Sequence, residues 1–265
     1  MIDLFSLAGR TALVTGGSRG IGAAISAEFL RAGARVIICA RKNAELDVVL
    51  TRLSELGQVE AVAADLSSLT GIQALMAEVA QRTDRLDVLV NNAGATWEGA
   101  LEELPEVGWD KVMGLNVKTL HYLTVAALPL LRASASADDP ARVINIGCID
   151  GIVVPVTENY VYAASKAAVH QLTRQHARRL AAEHILVNAI APGVFEGRAA
   201  ASVAGGVDVL SAATSTIPLR RIGRPEEIGG SAVYLASRAG AYTTGTVMVV
   251  DGGTTGAGRA DGLLD

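Results

Sequence analysis

The chain has 265 residues, half of them apolar, and this length fits one large α/β domain or two small ones. Its formal charge of −4, without any basic stripe, argues against nucleic-acid binding, and its two cysteines exclude a disulfide framework. No apolar run approaches the ~20 residues of a membrane span and the amino-terminal residues lack signal-peptide features, so a cytoplasmic protein that does not enter the membrane is expected.

Short apolar runs alternate with helical patterns along the chain. The predicted strands are Ala12–Thr15, Arg35–Cys39, Glu60–Ala63, Leu86–Asn91, Arg142–Ile146, Leu186–Ile190 and Val247–Val250. The predicted helices lie near residues 20–31, 43–56, 68–83, 106–132, 160–183 and 225–236. This alternation predicts an α/β fold, a single-domain doubly wound parallel sheet of about seven strands with helices on both faces.

Two further features concern the organisation of the chain. No linker divides residues 1–265, and residues 194–217 depart from the βαβ rhythm, so we expect one domain with a substrate lid over that stretch. The histidines fall singly or irregularly on helical segments without a metal-ligand pattern, which predicts solvated positions and no metal site. They are His121, His170, His176 and His184.

A glycine-rich loop follows the first predicted strand and opens the first predicted helix. Glycines let the backbone turn sharply and approach a pyrophosphate, and the positive end of the helix favours the anion. A loop in this position predicts a dinucleotide site, and the domain is therefore expected to be a Rossmann domain. The predicted cofactor contacts in the loop are Gly16, Ser18, Arg19, Gly20, Ile21 and Gly22.

Tyr162 and Lys166 lie four residues apart in a predicted helix, on one face. A free tyrosine titrates near ~10, and a neighbouring ammonium with the positive helix end is expected to lower the pKa of the phenol. The pair would then serve as a general acid or base for a carbonyl or alcohol. Taken alone, the same spacing also fits an ordinary amphipathic helix.

The glycine spacing differs from the common dinucleotide fingerprint and resembles that of the short-chain dehydrogenase/reductase family. The resemblance covers nearly the whole chain and continues in order through several motifs. These are Asn91-Asn92-Ala93-Gly94, Asn116, Tyr162 with Lys166, Pro192-Gly193 and Asp251-Gly252-Gly253. Within the family, the opening Phe5–Arg10, the insert Ser134–Ala137 and the fourteen residues from Cys148 to Tyr162 resemble 3-oxoacyl reductases of the rhamnolipid-biosynthesis type.

The resemblance implies a nicotinamide dinucleotide cofactor. NAD users place an acid after the second strand, where this chain has Ala40 followed by Arg41, so NADP(H) is expected, with Arg19 also near the extra phosphate. The remaining implied contacts are Asp65 and Leu66 at the adenine, Asn92, Ala93 and Gly94 at the ribose, and Pro192, Gly193 and Phe195 after the sixth strand. Gly197 stands where the family commonly has a threonine that meets the nicotinamide carboxamide.

The resemblance also implies the catalytic group. Tyr162 would donate the proton, Lys166 would bind the nicotinamide ribose, and Asn116 would hold a water that links Lys166 to solvent. Cys148 occupies the place of the usual serine, and a thiol is a weaker hydrogen-bond donor than a hydroxyl. Three interpretations stay open: a working but poorer donor, which we favour, a different substrate geometry, or a weakly active NADP sensor. No disulfide between Cys39 and Cys148 is expected, because the usual strand order separates them by more than the reach of a disulfide.

The expected substrate is a hydrophobic small-molecule ketone or alcohol, or a 3-oxoacyl compound. The predicted pocket walls are Trp97, Ile149, Val153, Val154 and Phe195. Asp139 and Glu183 stand where carrier-dependent relatives tend to have arginines, which makes docking of an acidic carrier protein doubtful. The family resemblance implies a homodimer or homotetramer. An NAD-linked alcohol dehydrogenase remains the alternative within the same fold.

Overall fold

The fold is a seven-stranded parallel sheet covered by helices on both faces, as seen in a computed structural model that describes residues 3–155, 157–196 and 214–257. The strands are β1 Thr11–Thr15, β2 Arg35–Ala40, β3 Val59–Ala63, β4 Val88–Asn91, β5 Ala141–Ile146, β6 Ile185–Pro192 and β7 Val247–Val250. The main helices are α1 Gly20–Arg31, α2 Asn43–Leu53, α3 Leu69–Ala80, α4 Glu106–Met113, α5 Thr119–Ser134, α6 Tyr160–Leu180 and α7 Pro225–Ala236. The predicted fold class is confirmed.

The strand order is β3-β2-β1-β4-β5-β6-β7, and every neighbouring pair runs parallel. The chain moves outward from β1 through β2 to β3 and then returns to place β4 on the other side of β1. The carboxyl ends of β1 and β4 therefore form the switch point at which open α/β sheets bind their ligands.

Side-chain alternation along the central strands builds two separate cores. In β1, Ala12 and Val14 face the core shared with α1 and α7, while Leu13 faces the core shared with α3 and α5. All five residues of β1 are buried, because a parallel strand covered on both faces has no solvent side. This explains why the strands appear in the sequence as nearly continuous apolar runs.

A chain of buried polar side chains crosses the sheet near the carboxyl edge. Asn91 of β4 donates through Nδ2 to Asn145 Oδ1 of β5 at 2.9 Å and to Thr124 Oγ1 of α5 at 3.1 Å. Asn145 in turn donates to Thr173 Oγ1 of α6 at 2.9 Å. The chain connects two strands with the two helices that carry the site, and we call it the asparagine ladder.

The predicted helix over 106–132 is interrupted. A π-helical turn, Gly114–Lys118, separates α4 from α5, and α5 then continues to Ser134. An apolar pattern predicts a helical face but does not distinguish an α-turn from a π-turn, which is why the interruption was missed.

Candidate active site

The glycine loop after β1 has no room for side chains at its two ends. A Cβ at Gly16 would lie 2.7 Å from Asn92 Nδ2, and a Cβ at Gly22 would lie 2.5 Å from the same atom. Gly20 has a φ of 53° and open space where its Cβ would be. The loop therefore leaves a cradle of backbone before the first turn of α1, which fits a pyrophosphate at the helix N-terminus.

Thr15 connects the loops after β1 and β4 and was missed by the sequence analysis. Its Oγ1 donates to the Val90 carbonyl at 3.1 Å and accepts from the N–H groups of Asn92 at 3.0 Å and Ala93 at 3.1 Å. Asn92 Nδ2 returns a hydrogen bond to the Thr15 carbonyl at 2.8 Å. The sequence signal for this role is a polar residue at the end of an apolar strand. The hydrogen bonds of Thr15 position Asn92 and Ala93 beside the glycine loop.

The basic corner predicted for the extra phosphate of NADP contains an acid that the sequence analysis also missed. Glu45, in the first turn of α2, lies 3.7 Å from Arg19 Nη1 and 3.3 Å from Lys42 Nζ. Ser18 Oγ donates to its carboxylate at 3.4 Å. The sequence prediction considered only whether an acid stands at Ala40, and it therefore missed the carboxylate that the first turn of α2 supplies.

Asp65 and Leu66 follow β3 and have different environments. Asp65 is exposed, and its carboxylate accepts the Ser67 N–H at 3.0 Å, which with Arg41 lowers the pKa of the carboxyl. The Leu66 side chain is buried in the core, and its carbonyl accepts from Thr119 Oγ1 at 2.6 Å. A cofactor contact at Leu66 would therefore be limited to its backbone.

Tyr162 and Lys166 lie on one face of α6, as predicted. The buried Lys166 donates from Nζ to the carbonyl of Ile146, the last residue of β5, at 2.8 Å. The same Nζ lies 5.4 Å from the centre of the Tyr162 ring. Tyr162 remains partly accessible to solvent at the carboxyl edge of the sheet.

The expected lowering of the phenol pKa by residues of the chain is wrong. Burial raises the pKa of Tyr162 well above its usual value, and Cys148 and Asp150 raise it further. Lys166 does not offset this, because its ammonium is directed at a backbone carbonyl and lies over the ring rather than against the hydroxyl. Burial also lowers the pKa of Lys166 itself to about 8.

Cys148 lies beside Tyr162, in the segment between β5 and α6. Burial, followed by the charge of Asp150, raises the pKa of its thiol, so the thiol is protonated at neutral pH. Asn159, at the start of α6, donates to Asp150 Oδ2 at 2.8 Å and joins this segment to the helix that carries Tyr162. Cys39 lies in β2, one residue before its end and three strands away from β5, and both thiols are free.

Asn116 lies in the middle of the π-helical turn and is buried. Its Nδ2 donates to the Ala95 carbonyl and to Ser165 Oγ, both at 2.9 Å, and its Oδ1 accepts the Ala95 N–H at 2.8 Å. Both amide hydrogens are therefore used to join α6 to the segment after β4. A hydrogen bond donated to the predicted water would therefore have to come from a group other than this amide.

The histidines are not all solvated, and this expectation is wrong for His170. His170 is 3% exposed and packs so closely against the segment after β5 that a Cβ at Gly151 would lie 3.0 Å from its Cε1. Burial, followed by Lys166, lowers its pKa to about 4, so it is neutral. His121 Nδ1 and His176 Nε2 lie 3.0 Å apart between α5 and α6.

The residues predicted to line the substrate pocket differ in their surroundings. Trp97 packs against α4, where a Cβ at Gly108 would lie 2.7 Å from its ring, and Lys111 Nζ lies 5.6 Å from the ring centre. Phe195 is 5% exposed and packs on Gly223, and it lines a cavity with Val194 and Asp251. Ile149, Val153 and Val154 lie together in the segment after Cys148, where Ile149 is partly exposed and Val154 is 93% exposed. Gly197 and most of the predicted lid lie outside the described residues.

The two carboxylates used to argue against carrier docking are neutralised by arginines. Asp139 Oδ1 lies 2.6 Å from Arg10 Nη2 and 3.0 Å from Arg142 Nη1, and Glu183 is paired with Arg132 and Arg179, both at 2.6 Å. Both residues also precede strands and so lie at the sheet edge opposite Tyr162. They therefore give no support to the expectation that an acidic carrier is repelled.

The described part of the chain contains neither a cluster of metal-binding side chains nor a membrane-spanning helix. Within it, no group of three or more His, Cys, Asp or Glu side chains is arranged to hold a metal ion. No helix in the same ranges is long and apolar enough to cross a membrane.

Comparison with known proteins identifies the class. Residues 16–255 match the family model described as Enoyl-(Acyl carrier protein) reductase. The chain is 52% identical over 253 residues to the rhamnolipids biosynthesis 3-oxoacyl-[acyl-carrier-protein] reductase of Pseudomonas aeruginosa, covering 96% of this chain and 99% of that protein. It is 34% identical over 249 residues to the 3-oxoacyl-[acyl-carrier-protein] reductase FabG of Thermotoga maritima, covering 93% and 98%. The chain therefore belongs to the short-chain dehydrogenase/reductase family, as the motifs predicted.

Solved structures agree with this assignment. The Pseudomonas aeruginosa RhlG/NADP active-site complex superposes with a TM-score of 0.93 at 51% identity, covering 96% of this chain and 100% of that one. A gluconate 5-dehydrogenase from Burkholderia cenocepacia in complex with NADP and tartrate gives a TM-score of 0.88 at 28% identity, covering 96% and 98%.

Proposed function

We propose that the protein is an NADPH-dependent oxidoreductase that reduces a ketone, either a 3-oxoacyl thioester or another hydrophobic carbonyl, to a secondary alcohol. The observation that carries the proposal is the placement of Tyr162 and Lys166 on one face of α6, at the sheet edge that also holds the glycine loop. The similarity to the 3-oxoacyl reductase of Pseudomonas aeruginosa supports the substrate class, and the NADP complex of RhlG supports the cofactor.

The chemistry needs one hydride and one proton for each carbonyl reduced. A bound NADPH would supply the hydride. Tyr162 would donate its hydroxyl proton to the carbonyl oxygen, and a phenol whose pKa is raised holds that proton at neutral pH. Lys166, whose Nζ lies 5.4 Å from the ring centre, would bind the nicotinamide ribose beside the reacting carbonyl. The Cys148 thiol would act as a second, weaker donor to the same oxygen.

The cofactor would extend along the carboxyl edge of the sheet. The glycine loop would hold the pyrophosphate, Arg19 and Arg41 the ribose phosphate, and Asp65 the adenine. Asn92, Ala93 and Gly94 would flank the adenosine ribose, and Pro192 and Gly193 the nicotinamide. We further propose that the protein is cytoplasmic and that the helices around Asn116 and Tyr162 pair in a homodimer or homotetramer.

A substitution pair tests the proton donor. Tyr162→Phe should abolish NADPH consumption across a panel of 3-oxoacyl thioesters and small ketones, while NADPH binding is retained. Tyr160→Phe is the matched control, because Tyr160 begins the same helix, is 40% exposed and donates to Glu158 rather than facing Cys148. Undiminished reduction by Tyr162→Phe would refute the proposal.

Two alternative functions are tested by the same panel. An NAD-linked alcohol dehydrogenase would reduce the carbonyls of the panel faster with NADH than with NADPH. A weakly active NADP sensor, suggested by the thiol at position 148, would bind NADPH tightly and reduce none of the carbonyls.

A further inference from the structure

A carboxylate surrounded by three donors lies beside the glycine loop, outside the catalytic group. Glu45 is approached by Lys42 Nζ at 3.3 Å, Ser18 Oγ at 3.4 Å and Arg19 Nη1 at 3.7 Å. These donors come from two different loops, since Ser18 and Arg19 precede α1 and Lys42 precedes α2. Glu45 thus joins the loop that opens α1 to the first turn of α2.

The donors around Glu45 lie where the additional phosphate of NADP would bind. Arg19 and Lys42 immediately precede the helices that start from the carboxyl ends of β1 and β2. The ribose of a dinucleotide lies at this edge in doubly wound sheets, and an arginine there accommodates the additional phosphate of NADP. The Arg19 side chain is 56% exposed and the Lys42 side chain 70% exposed, so both remain accessible to an incoming anion.

Glu45 is itself an anion at neutral pH. Hydrogen bonding from Lys42, followed by the charges of Arg19 and Lys42, lowers the pKa of its carboxyl. Its side chain is one-third exposed, so the carboxylate lies in the same accessible space as its partners. Arg41 has no ion pair with Glu45 in the described chain, and its charge contributes to lowering the pKa of Asp65 after the hydrogen bonds from Ser67.

We infer that Glu45 is a specificity-determining residue whose carboxylate competes with the 2′-phosphate of NADPH for Arg19, Lys42 and Ser18. The inference rests on the proposed function, since it concerns the choice between phosphorylated and unphosphorylated cofactor. A phosphate ester binding here takes over donors that already have a partner and meets a like charge. Glu45 therefore reduces the preference for NADPH over NADH below the value that the basic residues alone would give.

Direct binding tests this without turnover. Glu45→Gln keeps the shape and removes the charge, and the matched control is Asp47→Asn, an exposed carboxylate of the same helix outside the ion pairs of the described chain. Titration calorimetry with 2′,5′-ADP, 5′-AMP, NADPH and NADH gives four dissociation constants per variant. We expect Glu45→Gln to bind 2′,5′-ADP and NADPH about three- to tenfold more tightly, the effect of removing one nearby charge in a solvated site. Binding of 5′-AMP and NADH should change by less than about twofold, as should every constant for Asp47→Asn.

The possible outcomes separate this inference from the proposed function. If the parent protein binds NADPH no more tightly than NADH, the proposed NADPH dependence is wrong. If the parent prefers NADPH but Glu45→Gln binds the 2′-phosphate ligands equally or more weakly, Glu45 supports the cations rather than competing for them, and the inference is overturned. Equal tightening of all four ligands would also overturn it, because the effect would then not depend on the 2′-phosphate.

Discussion

Cys148→Ser is the substitution that most directly examines the catalytic site. The thiol lies beside Tyr162 and is protonated at neutral pH, as its proposed role as a second donor to the substrate oxygen requires. Complete loss of one such donor costs about 10²–10³ in rate. If the thiol retains half of that stabilisation, restoring a hydroxyl should raise turnover about ten- to thirtyfold, or about 1.4–2 kcal/mol of transition-state free energy.

The assay compares initial rates of NADPH consumption by the parent, Cys148→Ser and Cys148→Ala on one ketone at saturating cofactor. We expect the order serine, cysteine, alanine, with equal NADPH affinity in all three because position 148 is assigned to the substrate side. A serine variant no faster than the parent would show that position 148 does not act as a donor to the reacting oxygen. An alanine variant as fast as the parent would show that the thiol contributes nothing.

Three further predictions concern ionisation and close packing. Burial lowers the pKa of Lys166 from 10.5 to about 8. Between these two pH values the unfolded chain binds a proton that the folded protein has lost. The free energy of unfolding, measured by urea titration, should therefore rise with pH across this window. Over the same range kcat/KM for NADPH should fall as the charge is lost, and a flat profile would contradict the assignment. Gly22→Ala should weaken NADPH binding in calorimetry and lower the free energy of unfolding by about 1–3 kcal/mol, since its Cβ would meet Asn92. Gly229→Ala should lower the melting temperature, because its Cβ would lie 2.9 Å from Glu28 Cβ. Gly230→Ala is the matched control: its Cβ would enter open space, so the free energy of unfolding should rise by about 0.5–1 kcal/mol.

The architecture was predictable because parallel strands and their helices leave strong periodic signals. The strand Val247–Val250 was predicted to the residue, and β1, β2 and β3 to within one residue at each end. Helix ends were less accurate: α2 stops at Leu53 rather than near 56, because its terminal residues continue the polar pattern without continuing the helix. The π-turn at Gly114–Lys118 has no periodic signature of its own.

The candidate site was predictable where a motif carries its own geometry. The four-residue spacing of Tyr162 and Lys166 places both on one face of any helix, and the structure agrees. The electrostatics were not predictable in the same way, since the direction of the Lys166 ammonium depends on the Ile146 carbonyl of another element. Glu45 and the burial of Phe195 are likewise products of tertiary packing, which no local pattern encodes.

The asparagine ladder fixes the register of β4 against β5 beneath the candidate site. Shifting β4 against β5 by one residue would turn the amide of Asn91 to the opposite face of the sheet. Asn91 would then lose both Asn145 and Thr124, at about 1–3 kcal/mol for each buried group left without a partner. Trp97 lies on the loop after β4 and Ile149 in the short 3-10 helix Ile149–Gly151, and neither takes part in the ladder. Substitutions on these rim segments can therefore change what the site accepts without disturbing the pairing of β4 with β5.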